Sequence, residues 1–342
     1  MLKLSILDQS RVRRGMKARQ ALVETVSLAR EADKLGFTRF WVSEHHDTPG
    51  LVGSAPEVLI AAIAAQTASI RVGSGGVLIS HYSPYKIAET FRVLEGLYPG
   101  RIDLGIGRAP GGMPLASMAL RYGKPANSED RYLESLHDLG GFLGAGFPED
   151  HRYHGLLTTP LVDTSPDVWL LGSTGHSARR AAELGARFSF AHFINGDGGQ
   201  DVVRSYRENY RSGALGSEAQ AGVCVMVVCA ETDELAEQMA LPLDVGLLLL
   251  EKLGSRTPFP TAEEAAAYKP DDFDRQRMAD NRKRMIVGGP AKVKQRLLDF
   301  AADYGVDELM VTLALDSYEA NLQACRLLAR EFGLPGAAAF TG

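Results

Sequence analysis

One local pattern occurs three times along the chain and limits the folds available to it. It reads ADKLGFTRFWV at 32–42, AELGARFSFA at 182–191 and ADYGVDELMV at 302–311. Each copy contains the end of an amphipathic helix, a glycine directly after it, a short loop and an apolar strand. A glycine at that position ends a helix in the left-handed conformation without a Cβ clash. The pattern is typical of the helix-to-strand connection in a parallel α/β protein.

The apolar periodicity extends this alternation over the whole chain. Stretches with helical spacing, such as Ile87, Phe91 and Leu94, separate short apolar runs with strand character. The predicted strands are 2–7, 38–43, 70–80, 101–107, 168–171, 187–191, 222–230 and 308–313. Eight strand–helix units without a break in composition favour a closed (β/α)8 TIM barrel over an open doubly wound sheet. We therefore predict an α/β fold with a single TIM-barrel domain over residues 1–342.

Two segments exceed the minimal barrel. Residues 109–127 carry three glycines and three prolines, and they predict an elaborated loop after strand 4. Residues 253–285 carry prolines at 258, 260 and 270 before a charged stretch, and they predict a long insertion between strands 7 and 8. Loops of this length in a compact domain are usually functional lids or disordered. For 253–285 we hypothesise a lid over the barrel mouth, and a plain surface insertion stays open as the alternative.

Composition excludes several classes of protein. The chain has 37 Lys+Arg against 42 Asp+Glu and no basic tract, so it lacks the electrostatic footprint of a nucleic-acid binder. No run approaches the roughly 20 apolar residues needed to cross a bilayer, and the start does not resemble a signal peptide. The cysteines Cys224, Cys229 and Cys325 are odd in number and lack C-x-x-C spacing. We predict buried thiols, no disulfide framework and a cytoplasmic location.

Polar residues and glycines collect where the predicted strands end. In a TIM barrel, the carboxyl ends of the strands carry the chemistry. The candidate segments are Glu44-His45-His46, Gly73-Ser74-Gly75-Gly76, Gly107-Arg108 and Gly172-Ser173-Thr174-Gly175-His176-Ser177. The sequence therefore places its candidate site at the mouth of the barrel, after strands 2 to 5.

The paired histidines allow three interpretations. Imidazole and carboxylate are common metal ligands, but adjacent side chains at a strand end point in opposite directions. His45 and His46 are therefore poorly placed to share one ion, and no spaced third ligand accompanies them, so we predict no metal. A histidine that transfers a proton or contacts substrate suits the residue type, because its pKa lies near neutral pH. Two structural histidines that bond to neighbouring backbone remain the alternative.

The segment after strand 5 predicts an anion site. A helix begins directly after the strand, where free N–H groups and the positive end of the dipole favour a negative charge. The hydroxyl groups of Ser173, Thr174 and Ser177 can add hydrogen bonds. Arg108, at the end of strand 4, can supply a cation with a shape suited to phosphate. Together these residues predict a phosphate site, whereas the hydroxyl cluster alone would be typical of a helix cap.

These segments resemble one known family, the bacterial-luciferase-like flavin monooxygenases. The matching stretches are FWVSEHH at 40–46, GSGGVLISHYSPYKIAE at 73–89, GRIDLGIGRAPG at 100–111, VWLLGSTGHSARRAAELG at 168–185 and GGPAKVKQRL at 288–297. The resemblance implies a TIM barrel without a metal that binds reduced FMN at its mouth. It also implies reaction with dioxygen and insertion of one oxygen atom into a small organic substrate. Members often form homodimers and receive their flavin from a separate reductase.

The resemblance assigns roles residue by residue. His45 matches the family's catalytic histidine beside the flavin. Gly75 and Gly76 match a pair joined by a cis peptide bond that lies against the isoalloxazine ring. The positions that match phosphate-binding residues are Arg108, Ser173, Thr174 and Ser177. These last four agree with the anion argument, which was made from the residues alone.

Two other functions stay open. Relatives on the same fold use a deazaflavin coenzyme for hydride transfer, although its long anionic tail would favour more basic residues than this acidic chain shows. A non-catalytic flavin-binding protein is the second alternative, against which the retained Glu44-His45-His46 segment argues. The substrate cannot be read from the sequence. Candidate pocket residues that could equally belong to the barrel core are Trp41, His81, Tyr82, His192 and Phe193.

Overall fold

A computed structural model describes residues 2–109, 111–123, 128–144, 146–254 and 256–340. The strands are β1 Lys3–Asp8, β2 Arg39–Val42, β3 Arg71–Ser74, β4 Val77–Leu78, β5 Ile102–Gly107, β6 Asp167–Gly172, β7 Arg187–Ala191, β8 Ala221–Cys229, β9 Met285–Gly288 and β10 Glu308–Thr312. The helices are α1 Ala18–Leu35, α2 Pro56–Ala64, α3 Pro84–Leu97, α4 Pro114–Arg121, α5 Glu129–Leu143, α6 Gly175–Leu184, α7 Gly199–Asn209, α8 Asp233–Leu253, α9 Ala262–Ala267, α10 Asp272–Arg282, α11 Pro290–Tyr304 and α12 Tyr318–Phe332.

Eight of these strands close into a parallel barrel. Around the ring the order is β1, β2, β3, β5, β6, β7, β8 and β10, and β10 returns to pair with β1. Leu4 lies opposite Leu309 where the ring closes. Helices cover the outside, since a parallel strand pair needs a crossover connection. The predicted TIM barrel is confirmed, and each predicted strand corresponds to a barrel strand.

Two short strands lie outside the simple pattern. The strand predicted at 70–80 is divided, because β3 ends at Ser74 and β4 begins only after the Gly75–Gly76 pair. β4 pairs with β5, and a 3-10 turn at Ile79–His81 follows it. β9 pairs with the second half of β8, whose first half pairs with β10. The long strand β8 thus joins the end of the insertion to the barrel.

The barrel encloses a small core of its own, separate from the layer between strands and helices. This inner core contains Leu7, Trp41, Trp169, Cys224 and Met310. The rings of Trp41 and Trp169 meet edge to face, with centroids 5.4 Å apart, a preferred aromatic geometry. The lumen is therefore filled rather than open. All three cysteines are buried, as predicted, and burial raises the pKa of the Cys229 thiol to about 12.

A buried ion network closes the lower end of the barrel. The Arg39 guanidinium donates to Asp103 at 2.9 Å and to Glu308 at 2.8 Å, and Arg71 donates to Asp103 at 2.7 Å. Buried charges persist when each is paired and hydrogen-bonded in this way. Because these residues lie near the amino ends of their strands, the network leaves only the opposite end, the mouth, for a site.

The insertion predicted at 253–285 lies between the seventh and eighth barrel strands, and it contains the helices α9 and α10. Thr261 and Glu264 form a capping box that begins α9, and the Asp271 carboxylate caps α10. Both helices pack on α8. The segment 109–127 contains the short helix α4, while positions 110 and 124–127 lie outside the described residues, as do positions 1, 145, 255 and 341–342. In the part of the chain that is described, no helix has the length and apolarity to span a membrane.

Candidate active site

The segment after β2 directs its two histidines to different partners. The His45 ring nitrogen Nδ1 lies 3.1 Å from Ser43 Oγ, and its backbone N–H donates to Gly53 O at 2.8 Å. The His46 Nε2 atom lies 2.6 Å from a carboxylate oxygen of the buried Glu44. The two imidazoles do not share a partner, in line with the sequence argument. Across the described ranges, no three His, Cys, Asp or Glu side chains converge as a metal-binding group.

The electrostatic environment keeps His45 neutral. Burial, and to a smaller extent the adjacent His46, lowers the pKa of His45 to about 4. In the part of the chain that is described, no carboxylate is among its hydrogen-bond partners. Around neutral pH this imidazole can donate one hydrogen bond and accept another, but it carries no positive charge.

The Gly75–Gly76 pair forms a bare backbone surface above the inner core. The peptide bond between them is cis, as the resemblance implied. A Cβ on Gly75 would lie 2.6 Å from the Leu7 side chain, and one on Gly76 would lie 2.7 Å from both Gly105 O and the Leu171 side chain. Neither position can hold a larger residue without displacing its neighbours. The tight packing therefore requires glycine at both positions.

Cationic side chains from two strand ends meet at one carboxylate. Arg108 Nη1 donates to Glu129 Oε2 at 2.9 Å, and His176 Nε2 lies 3.0 Å from Glu129 Oε1. Arg180 Nε lies 3.5 Å from the same Oε1 atom. Arg108 follows β5, whereas His176 and Arg180 belong to α6, which follows β6. The predicted cation, Arg108, and the predicted helix start, at α6, are thus brought together around the Glu129 carboxylate.

The amino end of α6 retains hydrogen-bonding capacity. Thr174 is the N-cap residue, yet its side chain makes no capping bond to the helix. The buried Ser177 hydroxyl lies against Gly172, where a Cβ would approach it to 2.3 Å. The Ser173 carbonyl accepts a hydrogen bond from Asn195 at 3.1 Å. Within the described residues, the hydroxyl groups of Ser173, Thr174 and Ser177 make no hydrogen bond to Arg108.

Backbone contacts join the histidine segment to the segment after Arg108. The His46 N–H donates to Gly111 O at 2.8 Å. Gly111 has a φ of 61°, and a Cβ there would clash with the Leu78 side chain, so glycine is required. A Cβ on Gly112 would likewise lie 2.5 Å from His46 O. The two halves of the candidate site are therefore packed against each other at the mouth.

The structure adds residues that the sequence argument missed. Glu129 and Arg180 join the anion cluster without having been predicted, whereas His176 and Tyr82 were candidates whose contacts with Glu129 and Glu44 were not foreseen. The sequence carried partial signals: Glu129 lies in the first turn of a helix capped by Ser128, and Arg180 lies one turn after His176. Neither signal states which helix start faces which strand end.

Two of the candidate pocket residues, Trp41 and His192, make structural contacts. Trp41 belongs to the inner core, where its indole N–H donates to Asp103 at 2.9 Å. His192 is buried between Tyr304 OH at 2.8 Å and the Lys283 carbonyl at 2.9 Å. Burial lowers the pKa of this imidazole. These contacts identify Trp41 and His192 as structural.

Comparison with known proteins identifies the family. The family model described as luciferase-like monooxygenase matches residues 2–308 of this chain. The chain belongs to the luciferase-like monooxygenase family. Membership makes it an oxidoreductase. An N-acetyl-S-alkylcysteine monooxygenase of Bacillus subtilis (strain 168) is 39% identical over 314 residues, which cover 91% of this chain and 92% of the relative.

Several solved structures share the barrel. The apo form of MsnO8 is 36% identical with a TM-score of 0.87 and covers 98% of this chain and 99% of its own. The oxygenating constituent of 3,6-diketocamphane monooxygenase from Pseudomonas putida, in complex with FMN, is 25% identical with a TM-score of 0.71. The match covers 96% of this chain and 97% of that structure. An F420-dependent secondary alcohol dehydrogenase, 13% identical with a TM-score of 0.67 and covering 98% and 99%, shares the fold alone.

Proposed function

We propose that the chain is an FMN-dependent monooxygenase. It would use reduced FMN and dioxygen to insert one oxygen atom into a small organic substrate, while the second oxygen atom leaves as water. The family and its monooxygenase relatives support the reaction class. The observation that carries the cofactor assignment is the convergence of Arg108 and the first turns of α6 on one carboxylate.

The position of the Glu129 carboxylate indicates that an anion such as phosphate fits at this point. Glu129 draws Arg108, His176 and Arg180 together, so the cluster already accommodates a compact anionic group. The start of α6 adds free backbone N–H groups and the uncommitted Thr174 hydroxyl. We propose that Arg108, Ser173, Thr174 and Ser177 hold the phosphate of FMN.

The opposite end of the cofactor would meet the peptide surface and the histidine segment. We propose that the ring lies against the Gly75–Gly76 peptide, which close packing on Leu7 and Gly105 holds in place. His45 would act there as the catalytic histidine, a neutral hydrogen-bonding group at a ring nitrogen. When bound, reduced FMN supplies the two electrons that the reaction with dioxygen requires. The protein's share is position and the exclusion of water.

The helical insertion is well placed to act as a lid. Arg256 donates to both carboxylate oxygens of Asp47, at 2.7 and 2.6 Å, directly after the paired histidines. Arg14 forms an ion pair with Glu264, and the Arg11 guanidinium lies 3.9 Å from the centre of the Phe259 ring. We propose that these contacts hold the insertion over the mouth and that it opens to exchange ligands. Protease cleavage in this segment that FMN suppresses would support the lid, and ligand-independent cleavage would contradict it.

The cofactor assignment is tested by binding and reoxidation. The purified chain is titrated with FMN, riboflavin and the deazaflavin F420 by fluorescence. Bound reduced flavin is then mixed with aerated buffer, and its absorbance is followed in a stopped-flow instrument. We expect preference for FMN and reoxidation whose course differs from that of free flavin. Preference for F420 would support the hydride-transfer alternative, and FMN binding with reoxidation like that of free flavin would support the non-catalytic one.

The substrate and partners need separate measurements. Because an N-acetyl-S-alkylcysteine monooxygenase is 39% identical, a substrate screen begins with S-alkyl thioethers and extends to aldehydes and alkanes. Transfer of label from ¹⁸O₂ into the product would establish the reaction. The homodimer is a proposal that sedimentation tests. Supply of flavin by a separate reductase is a further proposal, tested by adding a reductase of this kind to the assay.

A further inference from the structure

A second polar cluster at the mouth is left unused by the proposed function. The Glu44 carboxylate is buried directly after β2, with 3% of the residue exposed. Its Oε1 atom lies 2.6 Å from His46 Nε2 and 2.6 Å from Tyr82 OH. Its Oε2 atom accepts from the Leu78 backbone N–H at 2.9 Å. One carboxylate thus organises side chains from the ends of two neighbouring strands.

These contacts determine where the protons lie. An ionised carboxylate only accepts hydrogen bonds, so Tyr82 must donate its hydroxyl proton and His46 must carry a proton on Nε2. Burial and the bond to Glu44 raise the pKa of Tyr82, which keeps the phenol protonated. The geometry therefore selects one tautomer of His46 and leaves its Nδ1 atom as the acceptor. Tyr82 OH and His46 Nε2 are 3.5 Å apart, so both approach the same oxygen from adjacent sides.

The charged groups around His46 come from several elements. Its own segment supplies Glu44, His45 and Asp47, the last of which is paired with Arg256 of the insertion. The 3-10 turn after β4 supplies His81, whose ring centre lies 6.3 Å from that of His46. Glu57 of α2 adds a negative charge near Tyr82. The residues after Arg108 contribute only backbone, through Gly111. Among the described residues, Glu44 is the one carboxylate in contact with this imidazole.

The proposed chemistry requires a proton at this end of the barrel. When anionic reduced FMN is reoxidised by dioxygen, FMN and hydrogen peroxide form, two electrons leave the flavin, and one proton is taken up. When a substrate is oxygenated instead, the same single proton is needed to release the second oxygen atom as water. Among the described residues no carboxylate contacts His45 to balance a positive charge, whereas His46 has one at 2.6 Å. A carboxylate in contact stabilises the imidazolium that appears when a histidine accepts a proton.

We propose that Glu44, His46 and Tyr82 form the proton-supplying group of this enzyme: His46 takes a proton from water at Nδ1 and gives it up to the reaction, while Glu44 and Tyr82 act as positioning residues for His46. The neutral His45 then serves as a hydrogen-bonding neighbour of the ring rather than as the source of the proton. The proposal rests on the proposed function for its chemistry, but its hydrogen-bond arrangement belongs to the protein alone.

The arrangement is tested without flavin. Full-length protein labelled with ¹⁵N-histidine is studied by NMR, and the His46 signals are assigned by their loss in His46→Ala. We expect a proton on Nε2 that exchanges slowly with water, is lost in Glu44→Gln and is kept in Thr48→Ala. Thr48 is the matched control, because it bonds the His46 carbonyl at 3.1 Å and not the ring. A proton on Nδ1 instead, or an unchanged signal in Glu44→Gln, would overturn the arrangement.

A milder variant covers the case in which Glu44→Gln does not fold. Tyr82→Phe removes one hydroxyl group and leaves the Glu44–His46 contact in place. We expect the His46 proton to remain on Nε2 but to exchange several-fold faster, because the carboxylate is held in place by one contact fewer and water gains access to it. An exchange rate equal to that of the wild type would count against the shared carboxylate.

The chemical role is tested with reduced FMN and dioxygen, with a pH indicator to follow proton uptake. We expect His46→Ala to slow reoxidation of bound FMN at least about tenfold, with the dissociation constant for FMN within about twofold of the wild type. Added imidazole should restore the rate, which a merely structural role would not allow. A wild-type rate in His46→Ala, or no response to imidazole, would refute the proton supply. Failure of the wild type to bind FMN would instead refute the proposed function, while the NMR result stands independently.

Discussion

The Arg108 guanidinium donates to the Glu129 carboxylate at 2.9 Å, although the two residues lie 21 positions apart and follow different elements. Roughly half of the Arg108 side chain is exposed, so this contact is open to exchange with a ligand. His176 of α6 contacts the other oxygen of the same carboxylate. The pair therefore marks the point where the ends of β5 and β6 meet, and it yields the first two predictions.

Replacing Arg108 by alanine should weaken FMN binding by about 10- to 100-fold. The reason is the loss of one charge-assisted hydrogen bond to phosphate, worth about 1.5–3 kcal/mol. Riboflavin, which lacks the phosphate, should bind both proteins equally. Arg179→Ala is the control, since Arg179 is an exposed arginine of the neighbouring helix α6. Fluorescence titration measures the affinity of each of the three proteins for FMN and for riboflavin. An equal loss of affinity for riboflavin in Arg108→Ala would show that Arg108 does not bind the phosphate.

Replacing Glu129 by glutamine should strengthen FMN binding about fivefold. The substitution keeps the size of the side chain but removes a negative charge that competes with phosphate for Arg108 and His176, an effect of order 1 kcal/mol at a partly exposed site. Glu134→Gln on the same helix α5 is the control, because Glu134 pairs with Arg152 instead. Weaker binding in Glu129→Gln would mean that the carboxylate supports the site rather than competes for it.

Replacing Arg256 by alanine should loosen the insertion without destabilising the fold. The Arg256–Asp47 pair is largely exposed, and exposed ion pairs contribute about 0–1 kcal/mol, so the melting temperature should barely change. Limited proteolysis should become faster within 256–282, and bound reduced FMN should be reoxidised faster. Arg204→Ala, which breaks the exposed pair with Asp201, provides the comparison. Equal proteolysis in both variants would contradict the tether.

Stability should fall as the pH is lowered from about 6.5 to about 4. The folded-state pKa of His45 is about 4, below the ordinary value of 6.5, so the unfolded chain binds more protons in this window. The contribution of His45 is present above this window and is lost as the pH falls through it. Allowing for partial exposure, it amounts to about 1–2 kcal/mol. His192, whose pKa is also lowered, acts in the same direction.

Urea unfolding across that window measures the effect. His45→Asn should reduce the loss of stability between the two ends of the window, whereas the same change at the exposed His154 provides the control. A pH dependence that is identical in wild type and His45→Asn would show that His45 is protonated normally in the folded protein.

Local sequence signals predicted the frame of the site well. Helix-ending glycines at 36, 185 and 305 adopt left-handed conformations, and each leads into a barrel strand as the repeated junction indicated. Because the carboxyl ends of parallel strands meet at one edge, the sequence alone assigns the segments with His45, Arg108 and Thr174 to the mouth. Short-range patterns suffice for such placements.

Contacts between distant segments could not be predicted in this way. Glu44 and Tyr82 are 38 positions apart, and Glu129 and His176 are 47 apart, with independently packed elements between them. A sequence states the chemistry of each side chain but not the rotation of the helix that carries it. The helices of the insertion could have been predicted, because Thr261 and Glu264 form a capping box that is local in sequence. The nearby prolines favoured a loop instead.

The most direct test of the whole account is the reaction of protein-bound reduced FMN with dioxygen, measured in a stopped-flow instrument beside free reduced FMN. We predict that the wild-type protein binds reduced FMN through Arg108, alters the course of its reoxidation, and transfers labelled oxygen from ¹⁸O₂ to a substrate of the screen. A protein that binds neither oxidised nor reduced FMN, or whose bound flavin reacts as free flavin does, would contradict it.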